Sequence, residues 1–117
     1  MDLKELVRAL LRFDALTARQ WLADAGRSGL VWSDIPAPVG LDATERAVAA
    51  GVAELLASRA GQAPPGWAAA IPPAPRVLFL VRAAATMPRL RAVCERESPE
   101  PLRRRGLLAP PDFLSIA

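Results

Sequence analysis

GLDATERAVAAGVAELLASRAG, residues 40–61, is the stretch on which the reading of the fold turns. Asp42 can accept from the free N–H groups of a first helical turn, and Glu45, three residues on, can reach back to the Asp42 backbone, an aspartate-led capping box. Gly61 can take the left-handed conformation that closes a helix. Between these ends Val48, Val52, Leu55 and Leu56 fall at i, i+4, i+7 and i+8, the stripe of a helix pressed against a core. The other side holds Ala47, Ala50, Gly51 and Ala57, small enough for a second helix to approach closely. The pattern predicts a central helix covered on two sides, about eighteen residues and roughly 27 Å long.

Upstream, Asp2 and Glu5 repeat the capping-box pattern. Leu3, Leu6, Val7, Leu10 and Leu11 recur at helical spacing while Lys4, Arg8 and Arg12 face away, so a first helix is expected to end near Phe13. Asp14 can cap a second helix through about Ala25, with Ala18, Trp21, Leu22 and Ala25 inward and Gly26 as terminator, which makes a helical hairpin. Residues 27–39, RSGLVWSDIPAPV, carry Gly29, Pro36 and Pro38 and read as an extended crossover pinned by Leu30, Trp32 and Ile35.

Downstream, residues 61–75, GQAPPGWAAAIPPAP, hold five prolines and form a stiff second connection, with Trp67 and Ile71 spaced for one helical turn. VLFLV (77–81) is strand-like, but no other long strand pattern offers a partner. Because an unpaired strand leaves its backbone groups unsatisfied, residues 76–86 are read as a short buried helix. Thr86 and Pro88 open a further helix with Leu90, Val93 and Cys94 inward. Ser98 and Pro99 open a shorter one ending at Gly106, and the tail LLAPPDFLSIA is apolar and broken by proline. The expected fold is all-α: one compact domain over residues 1–117, of five to six helices around the central one with two proline-rich connections, and residues 107–117 as a candidate partner-binding tail.

Composition narrows the function. The chain of 117 residues is one domain's worth. Its longest strongly apolar run, 77–81, is far below the ~20 residues of a membrane span. The charged start MDLKELV lacks the order of a signal peptide, so the expected location is cytoplasmic. There is no histidine and no tyrosine, and no carboxylates stand in a suggestive pair; Glu95 and Glu97 point apart on their helix. A lone Cys94 without histidine does not make a zinc site and reads as core filler, and glycine-rich phosphate loops are absent. The reading is a non-enzyme with no catalytic residues, no cofactor and no metal.

Charge is unevenly placed. Residues 1–75 carry seven basic and eight acidic side chains, whereas residues 76–117 carry eight arginines and four acids. Arginine suits planar, multidentate partners such as carboxylates and phosphates. The arginines at 89, 91 and 96 and at 103–105 can therefore face water, an acidic protein or nucleic acid. Against nucleic acid, no aromatic residues interleave with them for stacking. A helix-turn-helix over residues 3–25, with Arg12, Arg19 and Gln20 reaching DNA, is opposed by Asp24 and by the use of Trp21 and Leu22 for the apolar side.

ARQWLADA (18–25) and MPRLRAVCERESPEPLRRRGLLAPPDFL (87–114) resemble small bacterial antitoxin-like proteins paired with nucleotidyltransferase-type toxins. The resemblance implies a non-catalytic helical protein that grips a toxin encoded by a neighbouring gene and blocks its active site. It points to Arg103, Arg104, Arg105 and the tail from Leu107. Charge adds Arg89 and Arg91 as partner-binding residues, and the apolar Phe113, Leu114 and Ile116 are expected either to fold back onto the central helix or to serve as anchors for a partner. The alternatives are a nucleic-acid-binding regulator using the C-terminal arginines, and an assembly subunit that self-associates through the alanine face of the central helix.

Overall fold

A computed structural model describes residues 2–115. Five α-helices form among them: α1 (Leu3–Leu11), α2 (Ala15–Ser28), α3 (Ala43–Arg59), α4 (Pro88–Glu97) and α5 (Glu100–Arg103). Short 3₁₀ turns occupy Trp32–Asp34, Ala68–Ala70 and Arg82–Ala85. The molecule is mostly helical, as expected, and no described helix is long and apolar enough to cross a membrane.

The central helix forms where its caps dictate. Asp42 accepts from the Glu45 N–H at 2.8 Å and the Glu45 side chain accepts from the Asp42 N–H at 3.0 Å, a complete capping box. At the far end the Gln62 N–H reaches the Ala57 carbonyl and the Gly61 N–H the Ser58 carbonyl, with Gly61 at φ +67°, a Schellman motif. Every residue from Ala47 to Ala57 is buried, so α3 is enclosed all round. One side packs on α1, the other on α5 and the 68–70 turn. The alanine face is thus covered within the chain and offers no surface for self-association.

The hairpin α1–α2 is present, with Asp2 capping α1 through the Lys4 N–H at 3.0 Å and Asp14 capping α2 through the Thr17 N–H at 3.1 Å. Gly26 does not end α2. It lies exposed in the helix, where it is tolerated, and Gly29 at φ +67° provides the left-handed cap three residues later. Both proline-rich connections are held by polar side chains with backbone partners. The Gln62 carboxamide accepts from the Trp32 N–H and donates to the Leu30 carbonyl, and Trp67 Nε1 donates to the Ile35 carbonyl at 2.8 Å. Trp32, buried, packs its ring 6.1 Å from that of Trp21.

Residues 76–86 correct the helical expectation. Leu78–Phe79 is a short strand, β1, that pairs in parallel with β2 (Leu107–Leu108), Leu78 opposite Leu107 and Phe79 opposite Leu108. A 3₁₀ turn follows. The flaw lay in requiring a long strand as partner, since two tail residues suffice to satisfy the ladder; α4 and α5 form the crossover that parallel pairing needs. Pro88 begins α4 with Met87, not Thr86, at the cap position. Ser98 likewise does not cap α5: its hydroxyl accepts from the Ala109 N–H at 2.9 Å and donates to the Cys94 carbonyl, tying the end of α4 to the tail. Cys94 is fully buried, and burial pushes its thiol up from the ordinary value. We expect native protein to resist iodoacetamide at least ~100-fold better than denatured protein, read as alkylated mass against time; equal rates would show that α4 opens readily.

Candidate partner-binding surface

The run Arg103–Arg105, which spans the end of α5 and the turn after it, splits into an outer and an inner part. Arg103 and Arg104 are exposed, whereas Arg105 is only 4% exposed. The Arg105 guanidinium meets the carboxylate of Glu54, itself 8% exposed in mid-α3, and donates to the carbonyls of Ala68 at 2.7 Å and Pro101 at 3.2 Å. Arg104 reaches the same Glu54 oxygen from the rim at 2.7 Å. Arg105 is therefore an interior tie joining α3, α5 and the second connection, not a partner-facing residue. Glu54 escaped the sequence reading, although a carboxylate inside the apolar run VAELLA of a helix covered on two sides signals a buried cation.

The tail folds back. Leu107, fully buried, sits in β2, and Phe113 is 9% exposed in the core. Neither is presented outward, so Leu107 and Phe113 are not partner anchors, and for Phe113 the fold-back expectation holds: the chain uses both to close its own core. Arg59 holds the segment by donating to the Phe113 carbonyl and, at 3.1 Å, to the Pro111 carbonyl. Burial lowers the pKa of Arg59, and nearby Asp112 pulls it the other way. Leu114 is half-buried, and Ile116 lies outside the described residues.

The other expected residues do lie outside. Arg89, Arg91, Arg96 and Arg103 are all exposed. Arg91 stacks over the Phe79 ring at 4.9 Å and pairs with Glu95 at 3.2 Å, while Arg103 donates to the Arg96 carbonyl. Among the described residues no carboxylate pairs with Arg89, Arg96 or Arg103. Met87, two residues before Arg89, and Val77, next to Gly106, are more than half exposed. No three Cys, Asp or Glu side chains among the described residues gather closely enough to hold a metal ion.

No family model, curated protein or solved structure matches this chain.

A second feature escaped the sequence reading. At the α1–α2 corner the Asp14 N–H bonds to the Ala9 carbonyl and the Phe13 N–H to the Leu10 carbonyl, the same Schellman geometry that ends α3. Phe13, at φ +57°, stands where α3 has Gly61. A bulky residue there costs about 1–2 kcal/mol relative to glycine. Its ring is nonetheless 40% exposed and lies under the Arg82 guanidinium, 5.3 Å from the ring centroid. Leu114, at φ +62°, is the other non-glycine residue with positive φ among those described. The turn without glycine was the available clue to Phe13.

Proposed function

We propose that this chain is a non-catalytic protein-binding module acting in the cytoplasm, and that its partner is a toxin of the nucleotidyltransferase type encoded beside it. The observation that supports this most is that exposed Arg89, Arg96 and Arg103, on α4 and α5, form no ion pair among the described residues, with exposed Met87 just ahead of them at the start of α4. Arginines held this way favour the carboxylates of another protein, and apolar neighbours add buried area once water leaves. A toxin active site that binds metal–nucleotide would present such carboxylates, and covering them would silence it.

Co-expression with the neighbouring gene's product tests the reading. The tagged chain should retain that product through purification and relieve its toxicity. Arg89→Glu with Arg96→Glu should weaken retention at least about tenfold while leaving the melting temperature nearly unchanged, because exposed charges without ion pairs contribute little to folding. A harmless neighbour, or one that elutes separately, would dismiss the antitoxin role.

A further inference from the structure

The α1–α2 corner, the 80–83 segment and the tail enclose a cleft of about 410 Å³. Leu10, Leu22, Leu80 and Phe113 form its buried floor, and Phe13 and Leu114, the two strained residues, stand in its wall. Four side chains of the lining are polar: Asp14, Arg19, Arg82 and Ser115. The Asp14 carboxylate is already engaged by the Thr17 N–H and by the Thr17 hydroxyl at 2.6 Å. Arg19 and Arg82 form no ion pair among the described residues. Arg82 uses only the face of its guanidinium on Phe13, so its N–H edges remain open to an acceptor. The lining is thus an apolar floor with an excess of positive charge at the mouth.

We propose that this cleft binds a small organic acid, its apolar body of roughly eight to ten carbons on the Leu10–Leu80–Phe113 floor and its carboxylate on the edges of Arg19 and Arg82. The volume falls within the range of small-ligand sites, which pair an apolar lining with a few directing polar groups. Two guanidiniums at one mouth select an anion, since each can offer a fork of N–H donors to a carboxylate. The strained Phe13 fits the same use. Glycine would close α1 with less strain but would remove the wall that the ligand covers. Nothing in this rests on the α4 arginines, so the protein-binding reading and this one stand or fall separately.

The test is a titration of the full chain with sodium octanoate and, in parallel, with 1-octanol, followed by NMR amide shifts and calorimetry. Octanoate should saturate with a Kd on the order of 0.1–1 mM and move amides of residues 9–22, 80–83 and 113–115. Octanol should bind at least tenfold more weakly. Arg19→Gln with Arg82→Gln should remove that preference. Phe13→Gly, which suits the left-handed position and so keeps the fold, should weaken octanoate about tenfold without lowering the melting temperature. Absence of saturation up to about 10 mM, shifts elsewhere, or equal affinity for octanol overturns the proposal. So does protection of Phe13, Arg82 and Leu114 by a co-expressed protein in the absence of octanoate binding, which would give the cleft to a protein partner.

Discussion

Arg105→Ala is expected to lower the unfolding free energy by about 3–5 kcal/mol, because removing one partner of a buried ion pair leaves an uncompensated charge inside. For a chain of this size that is a fall in Tm of roughly 10–20 °C. The carboxylate left behind is Glu54, fixed in mid-α3, and the Ala68 carbonyl loses a donor at 2.7 Å. Arg104 already touches the same oxygen from a half-exposed position and softens the loss, but water screens it. Arg104→Ala should therefore cost less than about 1 kcal/mol. Arg105 Nε has no partner among the described residues, so the tie carries a desolvation cost of its own. Replacing both members by apolar residues, Glu54→Leu with Arg105→Met, should accordingly recover most of the stability that Arg105→Ala loses. Denaturant unfolding of the four proteins checks this. A loss below about 1 kcal/mol for Arg105→Ala would mean that Arg104 takes over the carboxylate and that Arg105 is not a structural tie.

The helices were legible wherever a periodic apolar stripe coincided with a cap. Asp42, Glu45 and Gly61 bound α3 as read, and Asp14 opens α2. Three kinds of contact were hidden. The parallel pairing of β1 with β2 joins segments separated by α4 and α5, and a two-residue strand carries no period for a pattern to reveal. The end of α2 passed Gly26 because glycine on an exposed face tolerates a helix, and only the conformation of Gly29 marks the stop. The surface suffered most. Arg103, Arg104 and Arg105 are indistinguishable as letters, yet Arg103 ends α5, Arg104 caps it and Arg105 lies in the turn beyond, so the three do not share one face. Glu54, 49 positions before Arg103 in the chain, decides which of them turns inward. The apolar, proline-led tail reads either as a segment folded back on the body or as an anchor for a partner, and the structure takes the first, with Leu107 against α3 and Phe113 held under Arg59.

Gly51→Leu is the second substitution expected to have a large effect. A Cβ at position 51 would stand 3.0 Å from Leu102 Cδ2, 3.3 Å from Leu107 Cδ1 and 3.3 Å from the Pro101 carbonyl oxygen. Two of these neighbours are fully buried side chains and the third is backbone, so the packing around α3 has little room to yield. For Gly51→Ala two effects oppose each other. Removing a mid-helix glycine gains about 1 kcal/mol of helix propensity, and overpacking costs about 1–3 kcal/mol, which predicts a net loss of up to about 2 kcal/mol. Leucine gains no further propensity and adds three carbons to a filled space, so α5 must move off α3, and the loss should exceed about 3 kcal/mol. Moving α5 also carries Arg105 away from Glu54. Gly51→Ala and Arg105→Ala should therefore be non-additive, the double variant losing less than the two single losses combined by about 0.5–3 kcal/mol. Urea unfolding of the wild type, both single variants and the double variant measures that coupling, and strict additivity would show that the close approach at Gly51 and the ion pair at Glu54 hold α5 independently.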